Sequence, residues 1–132
     1  MPETHQLTDL QIALMRVLWE RREATVAEIA EALREERGLA QTTIATLLSR
    51  LEKRGVVRHT TRARQFVYYP LVTESEVQRS MVTELTERLF DGDVTALMTH
   101  LLSGREVSPG DLERIKVLIA EQEAGTEGSR HV

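Results

Sequence analysis

Apolar residues recur along this chain first at helical spacing, then at strand spacing, then at helical spacing again. Leu10, Leu14, Val17 and Leu18, with Met15 and Trp19 on a neighbouring stripe, predict a first helix from about Asp9 to Arg21. Val26, Ile29, Ala30 and Leu33 fall at i, i+3, i+4 and i+7 and predict a second, from Val26 to about Glu36, which Gly38 can close in a left-handed cap. Ile44, Leu47, Leu48 and Leu51 predict a third, from about Gln41 to Arg54, stopped at Gly55. The period then changes. Val56–Thr60 and Gln65–Tyr69 are rich in β-branched and aromatic residues, and polar Thr61-Arg62-Ala63-Arg64 separates them, which predicts a β-hairpin with a basic tip. The tip has no Asn-Gly or Asp-Gly pair, so its turn type is left open. Pro70 ends the second strand, having no N–H to continue a ladder.

Beyond Pro70, Val77, Met81, Leu85 and Leu89 lie four apart and predict a fourth helix from Glu74 to about Phe90, broken by Asp91-Gly92-Asp93. A fifth helix is expected over Val94–Leu102 and a sixth over Asp111 to about Glu123, the latter carrying Leu112, Ile115, Leu118 and Ile119. Residues 124–132 are expected to form a disordered tail. Helix starts are marked by Thr8…Gln11, Thr25…Glu28 and Thr73…Glu76, each a capping box in which a hydroxyl and a Glu or Gln side chain satisfy orphan amides of the first turn. Ser108-Pro109-Gly110-Asp111 is a related start, with Pro109 at the first helical position.

Three helices followed by a basic-tipped hairpin is the element order of a winged helix-turn-helix. The expected fold is therefore mainly α (α+β): a winged helix-turn-helix over residues 1–72 and a helical region over residues 73–123. Those last helices are amphipathic but too few to build a core of their own. A symmetric second copy is the simplest cover for their apolar stripes, and folding back onto the winged domain is the alternative.

The net charge of −4 argues against nucleic acid until the chain is divided. Residues 1–72 carry 11 Lys/Arg against 9 Asp/Glu, whereas residues 73–132 carry 6 against 12. Arg50, Lys53, Arg54, Arg58, Arg62 and Arg64 fall within 15 residues, opposed only by Glu52. Such a cluster suits an anionic polymer despite the acidic total, although a charge run can also be a merely solvated surface.

The third helix sharpens the choice. At about 100° per residue its Ile/Leu stripe is opposed by Thr42, Thr46, Ser49 and Lys53, with Thr43, Ala45 and Arg50 on the flanks. A solvated face ordinarily favours Glu, Lys and Gln, because β-branched Thr lowers helix propensity. Small hydroxyl side chains suit a helix that must lie deep in a major groove ~12 Å wide, where Thr methyls and hydroxyls meet base edges. Gln41, at the helix start, is placed to pair with adenine. Arg50, Lys53 and Arg54 are expected on phosphates, and Arg62 and Arg64 at the hairpin tip on backbone or minor groove. The competing reading is a three-helix domain whose threonines are incidental, since helix-turn-helix folds also mediate protein contacts.

Other classes have little support. The four histidines, His5, His59, His100 and His131, are scattered, and no H-E-x-x-H motif or Gly-rich phosphate loop is present. An enzyme is not expected, nor any cofactor or metal. With no cysteine, disulfides and thiolate metal sites are excluded. No apolar run approaches the ~20 residues of a membrane span and no signal-peptide layout opens the chain, so direct membrane binding is not expected and the cytoplasm is the default location.

Several stretches together resemble the penicillinase-repressor family of bacterial regulators (BlaI/MecI type, with the copper-responsive CopY repressors as relatives). They are Leu7-Thr8-Asp9-Leu10-Gln11 through Trp19, Val26-Ala27-Glu28-Ile29, Thr42-Thr43-Ile44-Ala45-Thr46-Leu47-Leu48-Ser49-Arg50-Leu51, Tyr68-Tyr69-Pro70, and Leu89-Phe90-Asp91-Gly92 through Leu97. The resemblance spans about Leu7 to Glu123 and implies a homodimeric repressor on a palindromic operator of double-stranded DNA. Its dimer contacts would come from Met81, Leu85, Leu89, Phe90, Leu97, Leu101, Leu112, Ile115, Leu118 and Ile119. In the best-known members a membrane zinc-protease sensor responds to β-lactam, and the repressor is cut at an Asn-Phe bond in the dimerisation region; the aligned position here is His100-Leu101. The resemblance thus implies inactivation by proteolysis on a β-lactam-type or cell-envelope signal, with a changed cutting site. The paired cysteines of the copper-responsive relatives are absent. The alternative is a winged-helix regulator released, uncut, by a small ligand held between the winged domain and the dimer helices.

Overall fold

The computed structural model describes residues 5–130. The described elements run α1 (Asp9–Arg21), β1 (Ala24–Thr25), α2 (Val26–Ala32), α3 (Gln41–Lys53), β2 (Val57–Arg62), β3 (Gln65–Pro70), α4 (Glu74–Phe90), α5 (Val94–Ser103) and α6 (Pro109–Arg130). The chain divides into two compact units, one ending at Leu85 and the other beginning at Thr86. That division lies within α4, thirteen residues beyond the expected boundary at residue 72.

In the first unit the capping boxes at Thr8 and Thr25 are fully formed. Each hydroxyl accepts from the backbone N–H three residues on, and Gln11 or Glu28 reaches back to the cap amide. Thr73 likewise accepts from the amide of Glu76. The core is built from Leu14, Met15 and Leu18 of α1, Ile29 of α2, Ile44, Leu48 and Leu51 of α3, and Val56 and Val57 at the root of the hairpin, all fully buried. Burial of each such side chain stabilises the fold by about 1.5–3 kcal/mol. Leu10 is only half-buried, and Met15 takes the central place instead.

Three bounds differ from the sequence expectation. First, α2 ends at Ala32 rather than near Glu36. Leu33 caps it, and tight turns carry the chain to Gly38, whose φ of +57° suits glycine. Second, β1 was not expected; its two residues, Ala24 and Thr25, pair with Tyr68 and Val67 of β3. The sheet is therefore three-stranded and antiparallel, in the order β1-β3-β2. Third, α6 continues to Arg130 instead of ending near Glu123. The hairpin has the expected place, and its register, Arg62 opposite Gln65, leaves Ala63-Arg64 as a two-residue turn.

Trp19 ties the end of α1 to the segment after the hairpin, its Nε1 donating to the Val72 carbonyl at 2.9 Å. Leu71 donates to the Val56 carbonyl, and Val72 and Val77 are buried in the same core, with Met81 packed against it. These contacts explain why the first unit extends into α4.

The second unit holds the end of α4, α5 and α6. Its helices turn at Asp91-Gly92, both at positive φ, and at Ser108, which forms a reciprocal cap with Asp111. Among its described residues Thr86 alone is buried; no apolar side chain is.

Candidate nucleic-acid interface

The inward stripe of α3 is fully buried at Ile44, Leu48 and Leu51, with Leu47 half-buried. That anchoring fixes the helix rotation, so Gln41, Thr42, Thr43, Thr46, Ser49, Arg50 and Lys53 face solvent, with Ala45 half-buried at the edge. The Thr46 hydroxyl donates to the Thr42 carbonyl at 3.0 Å, and the residue stays exposed. Ala40 caps the helix without a side-chain bond, so backbone amides of the first turn keep their capacity to meet an anion.

The cations differ in their engagement. Arg50, Lys53 and Arg64 make no ion pair among the described residues. Arg54 is exposed, but its Nη2 donates to the Gln6 carbonyl at 2.7 Å, tethering the chain segment before α1. Arg62 is paired with Glu23, immediately before β1, which holds its guanidinium above the usual range. Arg58, in the basic cluster but absent from the expected contacts, is exposed and shares a strand face with Arg62.

The turn between the strands has Ala63 at φ +51° and Arg64 at φ +66°. Two left-handed residues between paired strands are the type I′ arrangement. It was illegible because Asn or Gly ordinarily fills those positions. Its consequence is to set Arg64 at the apex of the wing.

Glu52, the single acid of α3, is sequestered. Both carboxylate oxygens accept from His59 Nδ1, at 2.8 and 2.9 Å. The His59 ring is stacked on Phe66 at 4.1 Å and tilted against Tyr68 at 5.4 Å. Burial pushes the Tyr68 phenol upward, and the nearby Glu52 charge adds to the shift. In the sequence His59 is one of four scattered histidines; strand register brings it opposite Tyr68, and its ring nitrogen meets Glu52 of α3.

The expected dimer residues are mostly solvent-facing within one chain. Leu85, Leu89, Leu112, Leu118 and Ile119 are exposed, and Phe90, Leu97, Leu101 and Ile115 are half-buried. Met81 is the departure, since it packs against the winged core. Val82, Val94, Met98, Leu102 and Val117 are exposed apolar residues outside the expected set. His100 is exposed in α5, its ring 5.9 Å from Phe90, and Leu101 is half-buried. Among the described residues no helix is long and apolar enough to cross a membrane.

The penicillinase repressor family model matches residues 7–121. The transcriptional regulator BlaI of Mycobacterium tuberculosis H37Rv is 34% identical over 127 residues, covering 95% of this chain and 91% of that protein. The penicillinase repressor of Bacillus licheniformis is 24% identical over 92% of this chain and 94% of its own. Among solved structures, the DNA-binding domain of the repressor BlaI superposes with a TM-score of 0.50 at 32% identity, covering 58% of this chain and 93% of that domain. These relatives are DNA-binding transcriptional repressors, not enzymes.

Proposed function

Because the chain belongs to the penicillinase repressor family, we propose that it is a sequence-specific transcriptional repressor that binds a palindromic operator as a homodimer. One observation carries this reading: α3 buries its Ile/Leu stripe and leaves a shallow Gln/Thr/Ser ridge in solvent, flanked by Arg50 and Lys53. Gln41, Thr42, Thr43, Ala45, Thr46 and Ser49 meet base edges in the major groove. Arg50, Lys53 and Arg54 meet phosphates, and Arg64, with Arg62 once it leaves Glu23, meets the backbone beside the groove.

The homodimer rests on the second unit. Leu89, Val94, Met98, Leu102, Leu118 and Ile119 are exposed there, and no apolar side chain among the described residues of this unit is buried, so the unit has no core of its own. A second copy covers it and sets two α3 helices on two half-sites.

For relief of repression, the reading is proteolysis at His100-Leu101 by a membrane zinc-protease sensor, in response to a β-lactam-type or cell-envelope signal. The bond lies within α5, so the helix must open locally before a protease can grip it as an extended strand. A cut there severs α6 from the DNA-binding unit. A second reading, release by a small ligand, is favoured by one feature. An open cavity of about 480 Å³ is lined by Trp19, Tyr69, Leu71 and Val72, with Arg22 and Glu74 at its polar positions.

The test is binding of the full chain to DNA upstream of its own gene, titrated across salt and followed by footprinting. The expected result is steep loss of affinity with rising salt and protection of two related half-sites. Absent or salt-insensitive binding overturns the function. Release accompanied by a cut in α5 supports the protease arm, and release of intact chain by a small molecule supports the second reading.

A further inference from the structure

A carboxylate on a helix that approaches phosphates is a liability, because like charges repel. Glu52 occupies that position, between Arg50 and Lys53 in the last turns of α3. Its two oxygens are both taken by His59 Nδ1, with each side chain about 30% exposed. A carboxylate that accepts from one ring nitrogen with both oxygens restrains the plane of the imidazole. Phe66 stacks on that ring and Tyr68 tilts against it. One imidazole therefore joins the recognition helix to both long strands of the wing.

The location matters. Beyond Val57 every residue of β2 is exposed except half-buried His59. His59 is the outermost point at which that strand is fastened to α3, and the wing apex is five residues further on, at Arg64. On the other side of the sheet, Glu23 holds Arg62 near the tip.

We propose that His59 and Glu52 are positioning residues for DNA recognition. Their pair, backed by Phe66, sets the wing relative to α3 so that Arg64 reaches phosphate in register with the base-reading ridge. Neither residue has to touch DNA, and the effect of His59 is transmitted through Arg64. This inference rests on the DNA-binding function proposed above.

The test is a double-mutant cycle between His59 and Arg64. The probe is a duplex enriched by the full-length chain from a random-sequence pool. Thermal unfolding first establishes that each variant is folded. R64A and H59A are each expected to weaken binding about fivefold, and H59A/R64A is expected to be within about twofold of H59A alone, because a displaced wing gains nothing from Arg64. H59Q, which retains a donor toward Glu52, is expected to restore part of the Arg64 contribution. General destabilisation does not produce this pattern, since it lowers affinity equally with or without Arg64. If H59A does not fold, E52A replaces it in the same cycle. Additive losses in a folded cycle overturn the positioning role while leaving the DNA-binding function intact. Failure of the wild-type chain to enrich any duplex overturns both.

Discussion

Ala63 and Arg64 both adopt left-handed backbone conformations, which cost L-residues with a Cβ about 1–2 kcal/mol each relative to their ordinary regions. The surrounding register enforces them, since Arg62 pairs with Gln65 and leaves room for only two residues. Ala63→Asn supplies a side chain that tolerates this region, so the protein should gain about 0.5–1 kcal/mol, visible as a higher thermal midpoint. An unchanged or lowered midpoint would show that the turn relaxes at no cost. At the neighbouring position the charge matters more than the backbone. Arg64→Ala should weaken binding to all duplexes alike and lower the salt slope by about 1, as expected for one lost phosphate contact. Thr46 should behave differently. It is exposed on the ridge, so Thr46→Ala should shift sequence preference more than overall affinity. Equal losses on selected and random DNA would remove Thr46 from the bases. The ridge was legible because burial follows helical periodicity, which side-chain identity encodes directly. The pairings of Arg62, Arg54 and Glu52 were not, since Glu23, Gln6 and His59 lie 39, 48 and 7 residues away in sequence.

Helix starts that carry a cap were legible in the sequence. Thr8, Thr25, Thr73 and Ser108 each accept the amide hydrogen bond that their spacing implies, because a cap is local chemistry completed within one turn. Elements that end by tertiary competition were read less well. α2 stops at Ala32 although polar residues with good helix propensity follow, and β1 is two residues long, existing only through its pairing with β3. The tail expected from residue 124 rested on position at the chain end alone, yet the α6 backbone is helical to Arg130. The cap of α2 yields a pH prediction. The Glu28 carboxyl is held below its ordinary 4.5, chiefly by its hydrogen bond from the Thr25 amide, then by the Thr25 hydroxyl. A depressed carboxylate pKa stabilises the folded state above about pH 4.5, and that contribution fades as pH falls through the folded value. Glu28→Gln keeps the box but removes the titration, so its stability should fall less than that of the wild type on acidification from neutral pH to about pH 3, read by denaturant midpoints. Because Glu28 is exposed, solvent screening keeps the difference small. Parallel acid profiles would assign the fall to other carboxylates.

At the scale of the whole molecule, the chain contrasts a winged unit with a closed core and a helical unit without one. The expected boundary at residue 72 followed the change of hydrophobic period. Folding follows contacts instead, and Val72, Val77 and Met81 belong to the winged core. A fragment ending at Leu85 should therefore fold, whereas one ending at Pro70 loses the Trp19–Val72 bond and two buried valines and should be markedly less stable. The helical unit must find its core elsewhere. Leu118 and Ile119 are 58% and 51% exposed on α6, far from the Gln/Thr/Ser ridge of α3 in sequence. Replacing both with Glu places like charges on any symmetric face that contains them, where each would meet or approach its own copy. If the proposed homodimer uses this face, the double variant should sediment as a monomer at concentrations where the wild type sediments as a dimer. Its winged unit should remain folded, and its affinity for a single half-site should be unchanged. Affinity for the full operator should fall by about 10²-fold or more, the avidity lost when two linked sites become independent. A double variant that still sediments as the wild type does would place the dimer face elsewhere. A monomeric variant with full operator affinity would mean that one chain suffices, and the exposed apolar surface of α5 and α6 would then belong to a different partner.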